Sequence, residues 1–335
     1  MSKNALIFAG AGASKAVNPT EFPTTLEFFE KLPSEITETQ LFRQVVGFIQ
    51  AQKDDETVDI EEVLWTLQNL LSFCRDYSRN STFTAYMLQG NRLAQPLGAG
   101  HNLGHLDAAI RRALTDVDRL ISQINARVYE LYAHEPDESA LRSNWILLLK
   151  ELKARQWRTD IVTTNYDTVI ETAISSVYPT DYDRFVGLRG RTRKQLDLDA
   201  WQEADPEKGL LTKIHGSLDW QISGKSIFVG SPVYTGDHAK HAIIYPGFKG
   251  TETVSYFSLM HRYFGDRVEE ADVMMFIGFA FRDDYVNRIL ERTRPSALVF
   301  VLNPVEPETM PSRGKVQHIA DGFGKSSVAK LLANL

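Results

Sequence analysis

The sequence predicts an α/β fold, a parallel sheet whose first unit is followed by a large helical insertion. Three observations carry this. An apolar run, Ala5-Leu6-Ile7-Phe8, leads straight into the small-residue turn Ala9-Gly10-Ala11-Gly12-Ala13-Ser14. Residues 36–155 show apolar residues at steps of three and four, the helical period. Beyond 155 short apolar runs alternate with helical stretches, the pattern of βαβ units around a parallel sheet.

Residues 4–9 lack polar alternation, which suits a strand buried on both faces. Residues 24–32 read as a helix with Thr25 at its N-cap, because Phe28, Phe29 and Leu32 follow at helical spacing. Leu41, Val45, Phe48 and Ile49 form one stripe, and Ile60, Val63, Leu64, Leu67 and Leu71 a second. The longest stripe runs from Leu103 to Leu131, to pack on the sheet or to join subunits. Gly90, Pro96, Gly98 and Gly100 mark 88–103 as a loop, and Asp137-Glu138-Ser139 opens a helix carrying Leu141, Trp145, Leu148, Leu149 and Leu152. Strands are then expected at 161–163, 210–214, 227–229, 243–244, 273–277 and 298–302, with helices near 167–176, 253–268 and 283–292. The expected division is an α/β core of 1–35 and 156–335 with a helical insertion at 36–155.

Composition narrows the class. With 335 residues, 43% of them hydrophobic, the chain can bury a sizeable core. A net charge of −6 gives no broad basic footprint, so direct nucleic-acid binding is not expected. Arg184, Arg189, Arg191, Arg193 and Lys194 form a local basic stretch that reads as a solvated loop, the alternative being a contact with an acidic partner or phosphates. Cys74 is the one cysteine, which excludes an internal disulfide and a multi-cysteine zinc site; its helical setting marks it as a small buried apolar residue. No run of 18 apolar residues and no signal-peptide pattern occurs, so no membrane span and a cytoplasmic location are expected.

Three segments carry chemistry, each after a strand. Gly10 and Gly12 allow a tight turn and close approach of a phosphate, to which amides at the next helix start can donate. Thr163-Thr164-Asn165-Tyr166-Asp167 places an Asn and an Asp at a strand end: Asn165 can hold a ribose hydroxyl or position a water, Asp167 can accept from a carboxamide, and both also suit helix capping. His215, in Lys213-Ile214-His215-Gly216-Ser217, can take a proton at neutral pH, and it also reads as a satisfied core histidine. His238 and His241 have a metal-compatible spacing but no patterned third ligand, so they read as loop residues. In an open α/β sheet the ligand lies at these strand ends.

The pattern resembles the sirtuin (Sir2) family. Gly10–Ser14 matches its Gly-Ala-Gly-x-Ser and His215-Gly216 its His-Gly, while Thr163–Asp167 resembles its Thr-Gln-Asn-Ile-Asp with Thr164 for Gln and Tyr166 for Ile. Gly278-Phe279-Ala280-Phe281 looks like its Gly-Thr-Ser-Leu, and Leu302-Asn303-Pro304-Val305-Glu306-Pro307 its Ile-Asn-x-Glu-Pro. The chain departs from the family in lacking the four zinc cysteines and the Gly-Ile-Pro-Asp-Phe-Arg segment, and in having Ala280 where a Ser meets the nucleotide. These departures resemble the bacterial SIR2-like branch linked to antiphage defence. The resemblance implies a sirtuin-like Rossmann sheet without a zinc ribbon. It also implies an NAD+ hydrolase that depletes NAD+ in abortive infection, with NAD as substrate and no metal. Asn165 and His215 would be catalytic. Ala9, Gly10, Ala11, Gly12, Ser14, Thr164, Asp167, Gly278, Phe279 and Asn303 would bind NAD, with pyrophosphate at Gly10–Ser14, the nicotinamide carboxamide at Asp167 and the adenosine ribose at Asn303. A homo-oligomer and a partner in trans, a HerA-type ATPase or a short Argonaute, are further expectations. The competing readings are an NAD-dependent protein deacylase and a non-catalytic NAD- or ADP-ribose-binding module.

Overall fold

A computed structural model describes residues 3–52, 58–79, 103–203, 208–237, 240–243 and 254–335. The loop expected at 88–103 lies outside the described residues except for Leu103, which opens a helix, and His238 lies outside them too. The chain forms two compact units, Met1–Thr24 with Val128–Leu335, and Thr25–Arg127.

Among the described residues the first unit is built on eleven strands: β1 (Asn4–Ala9), β2 (Arg158–Thr163), β3 (Leu188–Arg189), β4 (Gln195–Leu196), β5 (Leu211–Lys213), β6 (Gly216–Ser223), β7 (Ser226–Val229), β8 (His241–Ile243), β9 (Val273–Ile277), β10 (Leu298–Asn303) and β11 (Lys315–Ala320). Six of them form one sheet in the order β11-β10-β9-β1-β2-β5, and every neighbouring pair is parallel. Numbered by their sequence order within that sheet, the strands read 3-2-1-4-5-6 from β5, the doubly wound dinucleotide-binding order. The order reverses between β1 and β9, and there the crevice opens at the carboxyl ends.

Both faces are covered, which explains the unbroken apolar strands. Ile7 and Ile161 share a core with Trp145, Leu148, Leu149, Leu152, Ile170 and Ile174 on one side. Leu6 and Phe8 pack with Met260, Phe264, Met274 and Phe276 on the other. The segment 138–154, expected in the helical insertion, therefore belongs to the sheet unit. Its stripe meets the sheet directly, and the two compact units divide after 24 and before 128.

The parallel pattern does not extend to every apolar run. β3-β4-β7-β6-β8 is a separate antiparallel sheet, so 227–229 and 243 are not strands of βαβ units. The reason is local: Ser223 pairs with Ser226 across Gly224-Lys225, and Gly224 takes φ +62°. A two-residue turn can join only antiparallel strands. His241 lies on β8 and is buried, not in a loop: its Nδ1 meets the Tyr129 hydroxyl at 2.7 Å.

In the second unit, helices Gln40–Gln52 and Ile60–Arg79 bury Phe42, Val45 and Ile49 and Ile60, Val63, Leu64, Leu67, Leu71 and Cys74. Phe48, expected in the buried stripe, is 58% exposed, and Phe42 takes its place. Thr25 is the first residue of its helix rather than the cap before it. The helix Leu103–Tyr132 buries Val117, Leu120, Ile121, Ile124, Val128 and Leu131. Among the described residues no helix is long and apolar enough to cross a membrane.

Candidate functional site at the switch point

Register sets the site. Ala9 lies opposite Thr163 on β2 and Ile277 on β9, Thr163 opposite Lys213, and Ile277 opposite Leu302. These five residues form one row across the sheet. The next residue of each strand is Gly10, Thr164, Ile214, Gly278 or Asn303, so the segments singled out in the sequence emerge together on one ledge.

At its centre two glycine turns pack back to back. Gly10 and Gly12 donate their amides to the carbonyls of Ile277 and Gly278, both at 3.0 Å, and Ala13 N–H donates to Gly10 O at 2.9 Å. A Cβ on Gly10 would lie 2.5 Å from Gly278 O, and one on Gly12 2.8 Å from Gly278 Cα. Gly278 has φ +60°, and a Cβ there would lie 2.3 Å from Ala13 N. Turn-on-turn packing thus requires the glycines whatever the ligand, and these three amides are already bonded within the chain.

Asn165 ties β2 to this turn. Its Nδ2 donates to Gly10 O at 2.9 Å and to Ser14 Oγ at 2.8 Å, and its backbone amide donates to Thr163 Oγ1, which donates to Ala9 O. Both amide hydrogens are committed, which leaves Oδ1 as the group that can meet a ligand. Thr164 N–H donates to Ala9 O at 3.4 Å. On the far side Asn303 Nδ2 donates to Phe279 O at 2.7 Å, and the Phe279 ring packs against Phe8 in a tilted pair with centroids 4.5 Å apart.

Asp167 is buried beside the ledge, where its Oδ1 caps Val169 N–H at 3.1 Å. Its carbonyl accepts from Lys213 Nζ, which also reaches Glu171 Oε1 at 2.7 Å and Ser217 Oγ at 2.8 Å. Lys213 and Glu171 are an almost fully buried ion pair that holds the segment after β2 against the segment after β5. Burial pushes the Glu171 carboxyl up to about 7 against the opposing pull of Lys213.

His215 follows β5, and the Ile214 amide donates to Thr163 O at 3.1 Å. Gly216 (φ +88°) turns the chain sharply: a Cβ there would lie 1.8 Å from Ala242 O. The His215 Nε2 lies 3.3 Å from Asp283 Oδ2, while its Nδ1 is buried without a hydrogen-bond partner. Asp283 Oδ1 accepts from the amides of Tyr285 (2.9 Å) and Val286 (3.0 Å) at the start of helix Asp284–Leu290. Burial pushes the Asp283 carboxyl up, but the bond and charge of His215 and the two amides outweigh it and hold the carboxyl below its ordinary value. His261 faces the same corner, and its Nδ1 too is buried without a hydrogen-bond partner. Burial, then the His215 charge, lowers it to about 4.

Sequence reasoning missed Asp283, His261 and the Lys213–Glu171 pair. The signal for Asp283 was present, since an Asp before Asp284-Tyr285-Val286 reads as a helix cap, but a cap does not announce a second partner. The basic stretch is matched within the chain: Arg189 pairs with Asp197 at 3.3 Å, Lys194 with Asp183, and Arg193 lies 3.6 Å over the Phe228 ring. No group of three His, Cys, Asp or Glu able to hold a metal occurs among the described residues.

Strand order and ledge together define an α/β protein of the doubly wound class with its site at the topological switch point. More particularly, residues 159–297 match the family described as the SIR2-like domain. That segment contains Asn165, Asp167, His215, Gly278 and Asp283. No curated protein matches. Among solved structures, the chain is similar to a Sir2 homologue in complex with NAD (12% identity, TM-score 0.45, covering 99% of this chain and 89% of that one). It is also similar to Sir2Tm bound to a propionylated peptide (12% identity, TM-score 0.39, covering 99% and 93%). At such scores the fold assignment rests on the strand order, not on these likenesses.

Proposed function

We propose that this chain hydrolyses NAD+ at the nicotinamide–ribose bond, releasing nicotinamide and ADP-ribose. The observation that carries the reading is the ledge itself: Asn165 Oδ1 and the imidazole of His215 stand at neighbouring strand ends beside the switch point, both inside the SIR2-like segment. In the reaction the C1′–nitrogen bond breaks and its electron pair leaves with nicotinamide, neutralising the ring's positive charge. Water adds to the ribose carbon, and its proton passes to a base. We assign that base to His215 Nδ1 and the placing of ribose and water to Asn165 Oδ1.

The surrounding contacts extend the assignment. Asn303 Nδ2 is bonded to Phe279 O, so its Oδ1 is assigned to the adenosine ribose. The second carboxylate oxygen of Asp167 is assigned to the nicotinamide carboxamide. Ala9–Ser14, Thr164, Gly278 and Phe279 line the path of the pyrophosphate. Here the glycines act chiefly by keeping two backbones close, because three of the turn's amides are bonded internally.

The single cysteine, which cannot supply four zinc ligands, favours the NAD-depleting defence branch over the zinc-bearing deacylases. We therefore infer a cytoplasmic effector of abortive infection, oligomeric and controlled by a partner in trans such as a HerA-type ATPase or a short Argonaute. The test is incubation of the chain with NAD+, with and without an acetylated peptide and with and without its genomic neighbour's product. Nicotinamide and ADP-ribose formed without peptide support the hydrolase. Acetyl-ADP-ribose formed only with peptide makes it a deacylase. Tight NAD+ binding with no turnover under any condition makes it a binding module.

A further inference from the structure

We propose that Asp283 is a positioning residue that fixes which nitrogen of His215 carries the proton, and so makes Nδ1 the base. The proposal rests on the hydrolase reading for its kinetic arm only. Asp283 uses its two oxygens differently. Oδ1 is held by the amides of Tyr285 and Val286, and Oδ2 faces His215 Nε2 at 3.3 Å. A carboxylate can only accept, so the neutral imidazole places its hydrogen on Nε2 and its lone pair on Nδ1. Nδ1 is buried and has no partner, the condition of a group kept for a ligand.

The backbone delivers Asp283 at a cost. Phe281, two residues earlier, takes φ +57°, which a bulky side chain adopts only when its surroundings impose it. Asn287 Nδ2 donates to Phe281 O at 2.7 Å, and the Phe281 ring packs against Phe276 and Phe279. The other histidine at this corner, His261, is held uncharged near neutral pH by burial, and Asp283 is the carboxylate that faces His215.

Two substitutions separate this role from a mere helix cap. In Asp283→Asn the amide oxygen keeps the cap, since Asn caps as well as Asp. Its NH2 then faces Nε2, which must accept, and the ring hydrogen is driven to Nδ1. Asp283→Ala removes the cap and leaves the ring free to choose. We expect Asp283→Asn to keep its melting temperature, to lose about 100-fold or more in kcat with KM for NAD+ little changed, and to be no more active than the less stable Asp283→Ala. A cap alone predicts the reverse order of activity. The second readout needs no turnover. Ring 15N NMR of the chain at neutral pH, with His215 assigned by comparison with His215→Gln, should show hydrogen on Nε2 in the wild type and on Nδ1 in Asp283→Asn. Hydrogen on Nδ1 in the wild type, or an Asp283→Asn variant with wild-type kcat and ring shifts, would overturn the proposal. If no NAD+ is cleaved by any form, the hydrolase reading fails and the ring shifts still decide the role of Asp283.

Discussion

Asn165 reads in the sequence as a ligand contact or a helix cap, and in the structure its side-chain amide is a clamp on Gly10 and Ser14 while Asp167 makes the cap. As a polar residue after a buried strand Asn165 invited a ligand role. Its two hydrogens instead bind Gly10 and Ser14, and only Oδ1 is left to act. Asn165→Asp therefore tests more than charge. The carboxylate would face the Gly10 carbonyl with no hydrogen to offer, leaving buried acceptors opposed. We expect a loss of about 1–3 kcal/mol in urea unfolding and loss of NAD+ cleavage. Unchanged stability would show that the clamp contributes nothing. Asn165 and His215 were legible because each ends an apolar run with a polar group that must be satisfied or used. Asp283 was not, because its partner lies 68 residues away and the local pattern is fully explained by capping.

At the scale of elements, buried strands were readable wherever both faces were apolar, as in Leu6–Phe8 or Met274–Phe276. β11 escaped because Lys315, Val316 and Gln317 are exposed on the sheet edge, so it carries neither an apolar run nor clean alternation. The strands at 227–229 and 243 were read, but their antiparallel pairing escaped because it depends on turns such as Gly224-Lys225. The Gly10–Gly12 turn was read as a tight turn for a phosphate, and in the structure its glycines also bring two backbones into close contact at Gly278. That contact predicts an order of cost. Gly224 and Gly278 both have positive φ, but a Cβ on Gly224 meets nothing within 4 Å. Gly224→Ala should cost about 1 kcal/mol of backbone strain. Gly278→Ala adds a clash with backbone that cannot yield, and should cost about 3 kcal/mol or more, or prevent folding. Equal denaturant midpoints for the two variants would refute the packing account.

For the molecule as a whole, the strand order places a polar ledge across an apolar sheet, and the charges buried beneath it make stability depend on pH. Asp160, in β2, is pushed up to about 6 by burial, against the pull of Arg158 at 3.1 Å and the Tyr263 hydroxyl at 2.5 Å. Glu171 is pushed up to about 7. In the window between the unfolded and folded values the native chain holds protons that the unfolded chain has released. Stability from these groups is therefore complete below about pH 4 and is lost as pH rises through 6 and 7. His261 works in the opposite sense: lowered to about 4, it resists a proton that the unfolded chain accepts near 6.5, so stability falls as pH drops from 6.5 towards 4. Asp283, held low, adds to the loss at the acid end. Between pH 8 and 6.5 the His261 loss is only partly engaged, so the buried carboxylates outweigh it and set the sign of the slope. The melting temperature should rise by about 1 °C on going from pH 8 to 6.5. Glu171→Gln keeps an acceptor for Lys213 but cannot titrate, and should flatten most of that rise. A wild-type melting temperature that falls over the same interval, or a Glu171→Gln variant with the full wild-type slope, would mean that Glu171 is not the group that sets it.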